Sequence, residues 1–181
     1  MIEKGVITSQ TVDKVPAYFE SEMTPLNGRK IVVKAWTDPD FAARLVADTP
    51  AAIAELDLPE GMAGAEGEHL QAVANGPGVH NVIICTLCSC FPWPVLGLPP
   101  YWYKDPVFRA RAAREPRQVL QEIGLDLPDE TEIKVWDTSG KSRWFVIPER
   151  PHGTENFTVE ELMELVTTES MIGVALAEPA S

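Results

Sequence analysis

An α+β fold is what this sequence predicts, and three observations predict it. Helical and strand-like signals come in separate runs without a strand-helix-strand rhythm. Aspartate or threonine followed by proline marks helix starts at Asp38-Pro39, Thr49-Pro50 and Asp105-Pro106. Short β-branched or apolar runs are bounded by turn formers such as Asn75-Gly76-Pro77-Gly78. With 181 residues, 45% hydrophobic and 23% charged, the chain is long enough for one well-buried core and short for two domains.

Taken in order, Thr11 to Met23 reads as a helix in an N-terminal arm, broken by Pro25-Leu26-Asn27-Gly28. The run Lys30 to Trp36 is β-branched and fits either a strand or the start of a helix. Two short helices follow, one behind Asp38-Pro39 with Phe41 and Leu45 four apart, the other behind Thr49-Pro50 with Ile53 and Leu56 on one side, ending near Leu58-Pro59. A glycine-rich connection over Gly61 to Gly67 leads to strands at His69 to Val73 and Val79 to Ile84. Pro92, Pro94, Pro99 and Pro100 then predict a stiff loop, since each proline fixes φ and removes a donor. Asp105-Pro106 opens a helix, Pro116 restarts it and Gly124 stops it. Glu132 to Trp136 and Arg143 to Ile147 flank Asp137 to Lys141 and predict a hairpin. Thr158 with Glu161 forms a capping box, Phe157 and Leu162 suit a staple, and Met171 to Leu176 is apolar enough for a last strand.

The net charge of −12 and a pI near 4.6 oppose binding to a nucleic-acid backbone, which depends on lysine and arginine displacing counterions. The opening residues lack a basic start, apolar run and small-residue cleavage site, and no stretch approaches membrane-spanning length. A cytoplasmic protein with neither nucleic acid nor membrane as partner is therefore expected.

All three cysteines fall in Cys85-Thr86-Leu87-Cys88-Ser89-Cys90. Three neighbouring thiols cannot pair off as disulfides, and in a reducing compartment such clusters bind metal or carry redox chemistry. Burial as small hydrophobes would suit Ile83, Ile84 and Leu87 nearby. Structural zinc would need a fourth ligand, for which His80 and His69 are candidates. In a third reading the turn wraps one ion with three thiolates and intervening amide nitrogens, a donor set for a low-spin trivalent transition metal acting as Lewis acid.

The segment Val82 to Cys90, Val-Ile-Ile-Cys-Thr-Leu-Cys-Ser-Cys, resembles the metal-binding claw of the nitrile hydratase α subunit. Thr86 matches the cobalt-type pattern. The resemblance continues through Trp36-Thr37-Asp38-Pro39, Val79-His80-Asn81, Trp93 to Pro100, Arg114-Glu115-Pro116-Arg117, Val135-Trp136-Asp137 and Ile172 to Ala175. It implies a helical arm over residues 1–28 and, over residues 29–181, a layered α-β-β-α catalytic core with the claw at 85–90. It also implies one noncorrin cobalt(III) per chain, held by the sulfurs of Cys85, Cys88 and Cys90 and the backbone nitrogens of Ser89 and Cys90. Cys88 would be a sulfinate, Cys90 a sulfenate and Cys85 an unmodified thiolate. A nitrile bound to cobalt would then be attacked by the Cys90 oxygen or by water, giving the amide.

Further positions take roles from the same resemblance. Trp93 would line the substrate pocket, or else pack as a core or interface tryptophan. Glu66 departs from the pocket glutamine of iron-type members and reads as a solvated loop residue. Asp137 and Arg143 would support the claw from outside its ligand shell, or else form a surface pair. Lys104, Arg109, Arg111, Arg114 and Arg117 form a basic cluster, either a solvated helix face or a dock for an acidic subunit. The implied partners are a β-type subunit, a metal-insertion helper protein and a small nitrile. Thiocyanate hydrolase, whose metal-bearing subunit shares the claw, is the rival enzymatic reading, and a nonenzymatic zinc module the rival of another class.

Overall fold

The computed structural model describes residues 21, 23–58, 69–87 and 90–178. The expected Thr11 helix, the Gly61 to Gly67 connection, Glu66, Cys88 and Ser89 lie outside the described residues.

Helix α1 runs Pro25–Thr37, so the expected break at Pro25 to Gly28 is instead a helix start, and the 28/29 boundary falls inside a helix. Pro25 suits the first turn because its missing N–H would have no intrahelical partner, and Thr24 caps the end. Gly28 is there for contact rather than for a turn: a Cβ would meet Val95 O at 2.3 Å. The side chain of Asn27 donates to Pro94 O at 3.0 Å across the same contact. The ambiguous Lys30 to Trp36 run resolves as helix, with Ile31, Val32 and Val33 buried.

Helices α2 (Pro39–Ala47) and α3 (Thr49–Ile53) follow, capped by Asp38 and Asp48, each side chain accepting from a backbone N–H of the first turn. The second cap is Asp48 and not Thr49; the Thr49 hydroxyl instead bonds Leu45 O and accepts from Ala72 N, tying α2 to the first strand.

Strands β1 (Leu70–Ala74) and β2 (Val79–Ile84) lead to the cysteine segment. Beyond it the expected structureless proline loop holds helix α4 (Trp93–Leu96) and a 3-10 turn (Tyr101–Lys104), since prolines at the first turn of short helices lose no hydrogen bond. Helices α5 (Pro106–Arg114) and α6 (Pro116–Glu122) precede β3 (Glu132–Asp137) and β4 (Arg143–Ile147). Helix α7 (Val159–Leu165) carries the expected Thr158/Glu161 capping box. The expected final strand at Met171 to Leu176 is replaced by α8 (Thr168–Ile172), ended by Gly173 at φ 88°. A left-handed residue there stops the helix, and glycine adopts it without a Cβ clash.

The strands form two parallel pairs, β1 with β4 and β2 with β3. The expected β3–β4 hairpin is absent among the described residues, because each short connection carries the chain from one sheet to the other. Leu70 pairs with Arg143 and Ala74 with Ile147; Val79 pairs with Glu132 and Ile84 with Asp137. Five consecutive residues of β2, His80 to Ile84, are buried, as expected for a parallel strand covered on both faces. Trp136 and Trp144, on strands of different pairs, bring their rings to 4.4 Å. One continuous core runs from α1 through both pairs to α8, including Ile31, Phe41, Ile83, Phe145, Leu162 and Ile172.

Candidate metal centre

The parallel register of β2 with β3 decides where the cysteine segment is held. Ile84, the last residue of β2, sits opposite Asp137, the last of β3, so the turn beginning at Cys85 lies against Asp137 and Thr138. Cys85 is fully buried and Cys90 half-buried, while Leu87 between them is 92% exposed.

Cys85, Thr86 and Cys90 each have a backbone tether. Asp137 accepts from Thr86 N on Oδ1 at 2.9 Å and from the Thr86 hydroxyl on Oδ2. Arg109 Nη1 donates to Cys85 O at 3.3 Å. Thr138 N donates to Ile84 O at 2.7 Å, and the Thr138 hydroxyl lies 2.8 Å from Cys90 O and 3.0 Å from Ile84 O. Tyr103, fully buried, points its hydroxyl at Cys90 O and at Thr138 Oγ1, each at 3.3 Å. Burial pushes the Tyr103 phenol well above its ordinary value, so it remains a proton donor at any pH the fold meets. Just past the turn, Arg143 Nη1 donates to Phe91 O at 3.2 Å.

Asp137 thus contacts the cysteine segment at Thr86, and Arg143 contacts its exit at Phe91. Thr138, Tyr103 and Arg109 were not singled out for this role. Thr138 sits in a turn-like Asp-Thr-Ser-Gly stretch, and Tyr103 among prolines and aromatics, so only the fold brings them to the turn. Trp93 begins α4, three residues after Cys90, half-buried and packed against the core.

His80 does not serve as a zinc ligand. Its Nε2 lies 2.8 Å from Gly173 O, an acceptor only, so Nε2 carries the hydrogen; Nδ1 then accepts from Asn75 Nδ2 at 3.2 Å. The Asn75 oxygen in turn accepts from Asn81 N and Asn81 Nδ2. Both ring nitrogens are committed, and burial lowers the pKa of the ring.

The expected basic cluster is not one surface. Arg111 pairs with Glu115 and Glu122, Arg117 donates to the carbonyls of Leu127, Pro128, Asp129 and Thr131, and Arg109 serves the turn. These three arginines brace the fold, while Lys104 and Arg114 are exposed.

A donor set of three clustered thiols with backbone amides between them suits a soft-ligand transition metal, and the tethers would keep the turn from opening as it binds.

Comparison with known proteins bears on that chemistry. The family of the nitrile hydratase alpha chain matches residues 1–175. A cobalt-containing nitrile hydratase subunit alpha from Pseudonocardia thermophila is 51% identical over 181 residues, covering 99% of this chain and 85% of the relative. The thiocyanate hydrolase subunit gamma of Thiobacillus thioparus is 38% identical over 185 residues, covering 98% of this chain and 76% of the relative. Among solved structures, a double mutant of the Fe-type nitrile hydratase from Comamonas testosteroni Ni1 aligns with a TM-score of 0.88 at 42% identity, covering 97% of this chain and 84% of that one.

Proposed function

This chain belongs to the nitrile hydratase alpha chain family, and on that premise we propose that it is the metal-bearing α subunit of a cobalt nitrile hydratase, a lyase that hydrates a nitrile to its amide. The observation that carries this reading is the tethered turn, whose backbone is held at Ile84, Cys85, Thr86 and Cys90 by residues of β3, its following loop, the 3-10 turn and α5.

The sulfurs of Cys85, Cys88 and Cys90 and the peptide nitrogens of Ser89 and Cys90 would hold one noncorrin cobalt(III). When bound, that ion supplies Lewis acidity that makes a nitrile carbon open to attack. Cys88 as sulfinate and Cys90 as sulfenate are the oxidised states the reading requires. The Cys90 oxygen or a water would be the nucleophile, and the hydrogen bonds on the Cys90 carbonyl hold the backbone of that residue. Trp93 offers an aromatic face to the apolar body of the nitrile. Asp137 and Arg143 keep the turn and its exit in register.

A second subunit completes the site. Leu87, Leu98, Tyr101 and Val107, on the turn and the segments just after it, are 92%, 65%, 93% and 66% exposed. So many large apolar residues in one sequence neighbourhood mark a protein interface, and a β-type subunit is its occupant. A metal-insertion helper protein is the further expected partner.

Greater identity to the nitrile hydratase relative than to the thiocyanate hydrolase one, 51% against 38%, favours nitrile over thiocyanate as substrate. The test is coexpression with the β-type subunit in cobalt medium, followed by metal quantification, intact mass and assays on nitriles and on thiocyanate. Cobalt with two added oxygens on Cys88 and one on Cys90, and amide as product, is the expected result. Zinc without added oxygen, or turnover of thiocyanate alone, would overturn it.

A further inference from the structure

Cys90 O and Ile84 O, at the two ends of the cysteine turn, both face Thr138. Ile84 O is served by Thr138 N at 2.7 Å, so the single Thr138 hydroxyl hydrogen is available for Cys90 O, the nearer of its two carbonyl neighbours at 2.8 Å against 3.0 Å. Tyr103, with one hydrogen of its own, then donates to the Thr138 oxygen or to Cys90 O, both at 3.3 Å. The ring of Tyr103 is locked edge-on against Phe91 at 4.8 Å, and the side chains of Tyr103 and Thr138 are buried. One residue therefore grips both ends of the turn, the entering end through its backbone and the leaving end through its side chain.

We infer that Thr138, braced by Tyr103, is a positioning residue that sets the spacing between the two ends of the cysteine turn and so the placement of the Cys90 sulfur. The inference rests on the proposed metal-bearing function. A threonine is suited to the task because its backbone N–H and its hydroxyl leave the same residue in fixed relation, and its β-branch restricts χ1. Valine has the same shape without the hydroxyl, so T138V would release Cys90 O and leave the grip on Ile84 O intact. Y103F would remove the Tyr103 hydrogen from Thr138 Oγ1 and Cys90 O and leave the Thr138 hydroxyl in place.

The test uses the assembled cobalt complex of wild type, T138V, T138S and Y103F. Wild type is measured first: absence of cobalt there sinks the functional reading, whereas the inference concerns only differences among variants at equal cobalt content. For T138V the expected result is a kcat per cobalt lowered by about 10–100-fold, the range typical for residues that orient metal ligands, with KM within about twofold. A shifted sulfur-to-cobalt absorption band should accompany it, which loss of general packing would not produce. T138S should restore both, and Y103F should show the same change at smaller size. A T138V complex with wild-type band and wild-type kcat overturns the inference, as does a T138S complex as impaired as T138V. If T138V fails to assemble, Y103F decides, and a band and kcat equal to wild type there likewise overturn it.

Discussion

Asp137 takes both hydrogen-bond donors of Thr86, the backbone N–H at 2.9 Å on one carboxylate oxygen and the hydroxyl on the other. Two acceptors on one rigid group fix both position and rotation of the residue that follows Cys85. The pairing exists because Ile84 and Asp137 are register partners at the ends of β2 and β3.

Replacing that carboxylate by an amide removes the charge from both hydrogen bonds and turns the Thr86 hydroxyl from donor to acceptor. D137N should lower cobalt content or kcat of the assembled enzyme by about tenfold, as for other residues that orient metal ligands. T86S, which keeps both donors, should stay within about threefold of wild type. Metal analysis and steady-state assays of the two complexes check this.

Gly173 ends α8 at φ 88°, where a Cβ would stand 1.9 Å from Asn81 O. That contact is with backbone and cannot be relieved by a rotamer. G173A should cost about 3 kcal/mol or more through strain and a displaced β2. G140A, which meets nothing within 4 Å, should change stability by less than about 0.5 kcal/mol. Denaturant titration of both variants gives the comparison.

His80 is buried and its pKa is lowered by that burial. The unfolded chain, with an ordinary histidine near pKa 6.5, binds the proton first as pH falls. The stability this neutral ring contributes is complete above about pH 6.5 and is lost as pH drops from there toward the lowered folded value. H80Q can still donate to Gly173 O but does not titrate, so its stability should fall less steeply between about pH 6.5 and 5 than wild type. Thermal melting across that range is the measurement.

Tyr101, in the 3-10 turn that carries Tyr103, is 93% exposed. If a β-type subunit covers it, Y101A should weaken assembly by about tenfold, the order expected for an interface aromatic. The melting temperature of the unassembled α chain should stay within about 2 °C of wild type, as for an exposed side chain with no folded partner. Titration of the β-type subunit into labelled α chain reads the first, and a thermal scan the second.

Much of this could be read along the chain because the physics is local. Proline after a capping residue starts α2 and α5, Thr158 and Glu161 cap α7, and the cysteine spacing marks the candidate ligands, all within a few residues. Local rules misled where packing overruled them. Gly28 resembles a helix breaker but sits mid-helix because Val95 needs the room, and Met171 to Leu176 resembles a strand although α8 is stopped by a left-handed Gly173.

The amino-acid order by itself determined which chemistry is present: three thiols in one turn, threonine at position 86 and apolar strands leading in. Tertiary structure alone decided what holds that turn, because parallel pairing joins residues some fifty positions apart and no local pattern announces the partner. The short link after Asp137 suggested a strand folding back on its neighbour. Two sheets exchanging the chain instead placed Asp137 at Thr86, and Thr138 and Tyr103 at Cys90.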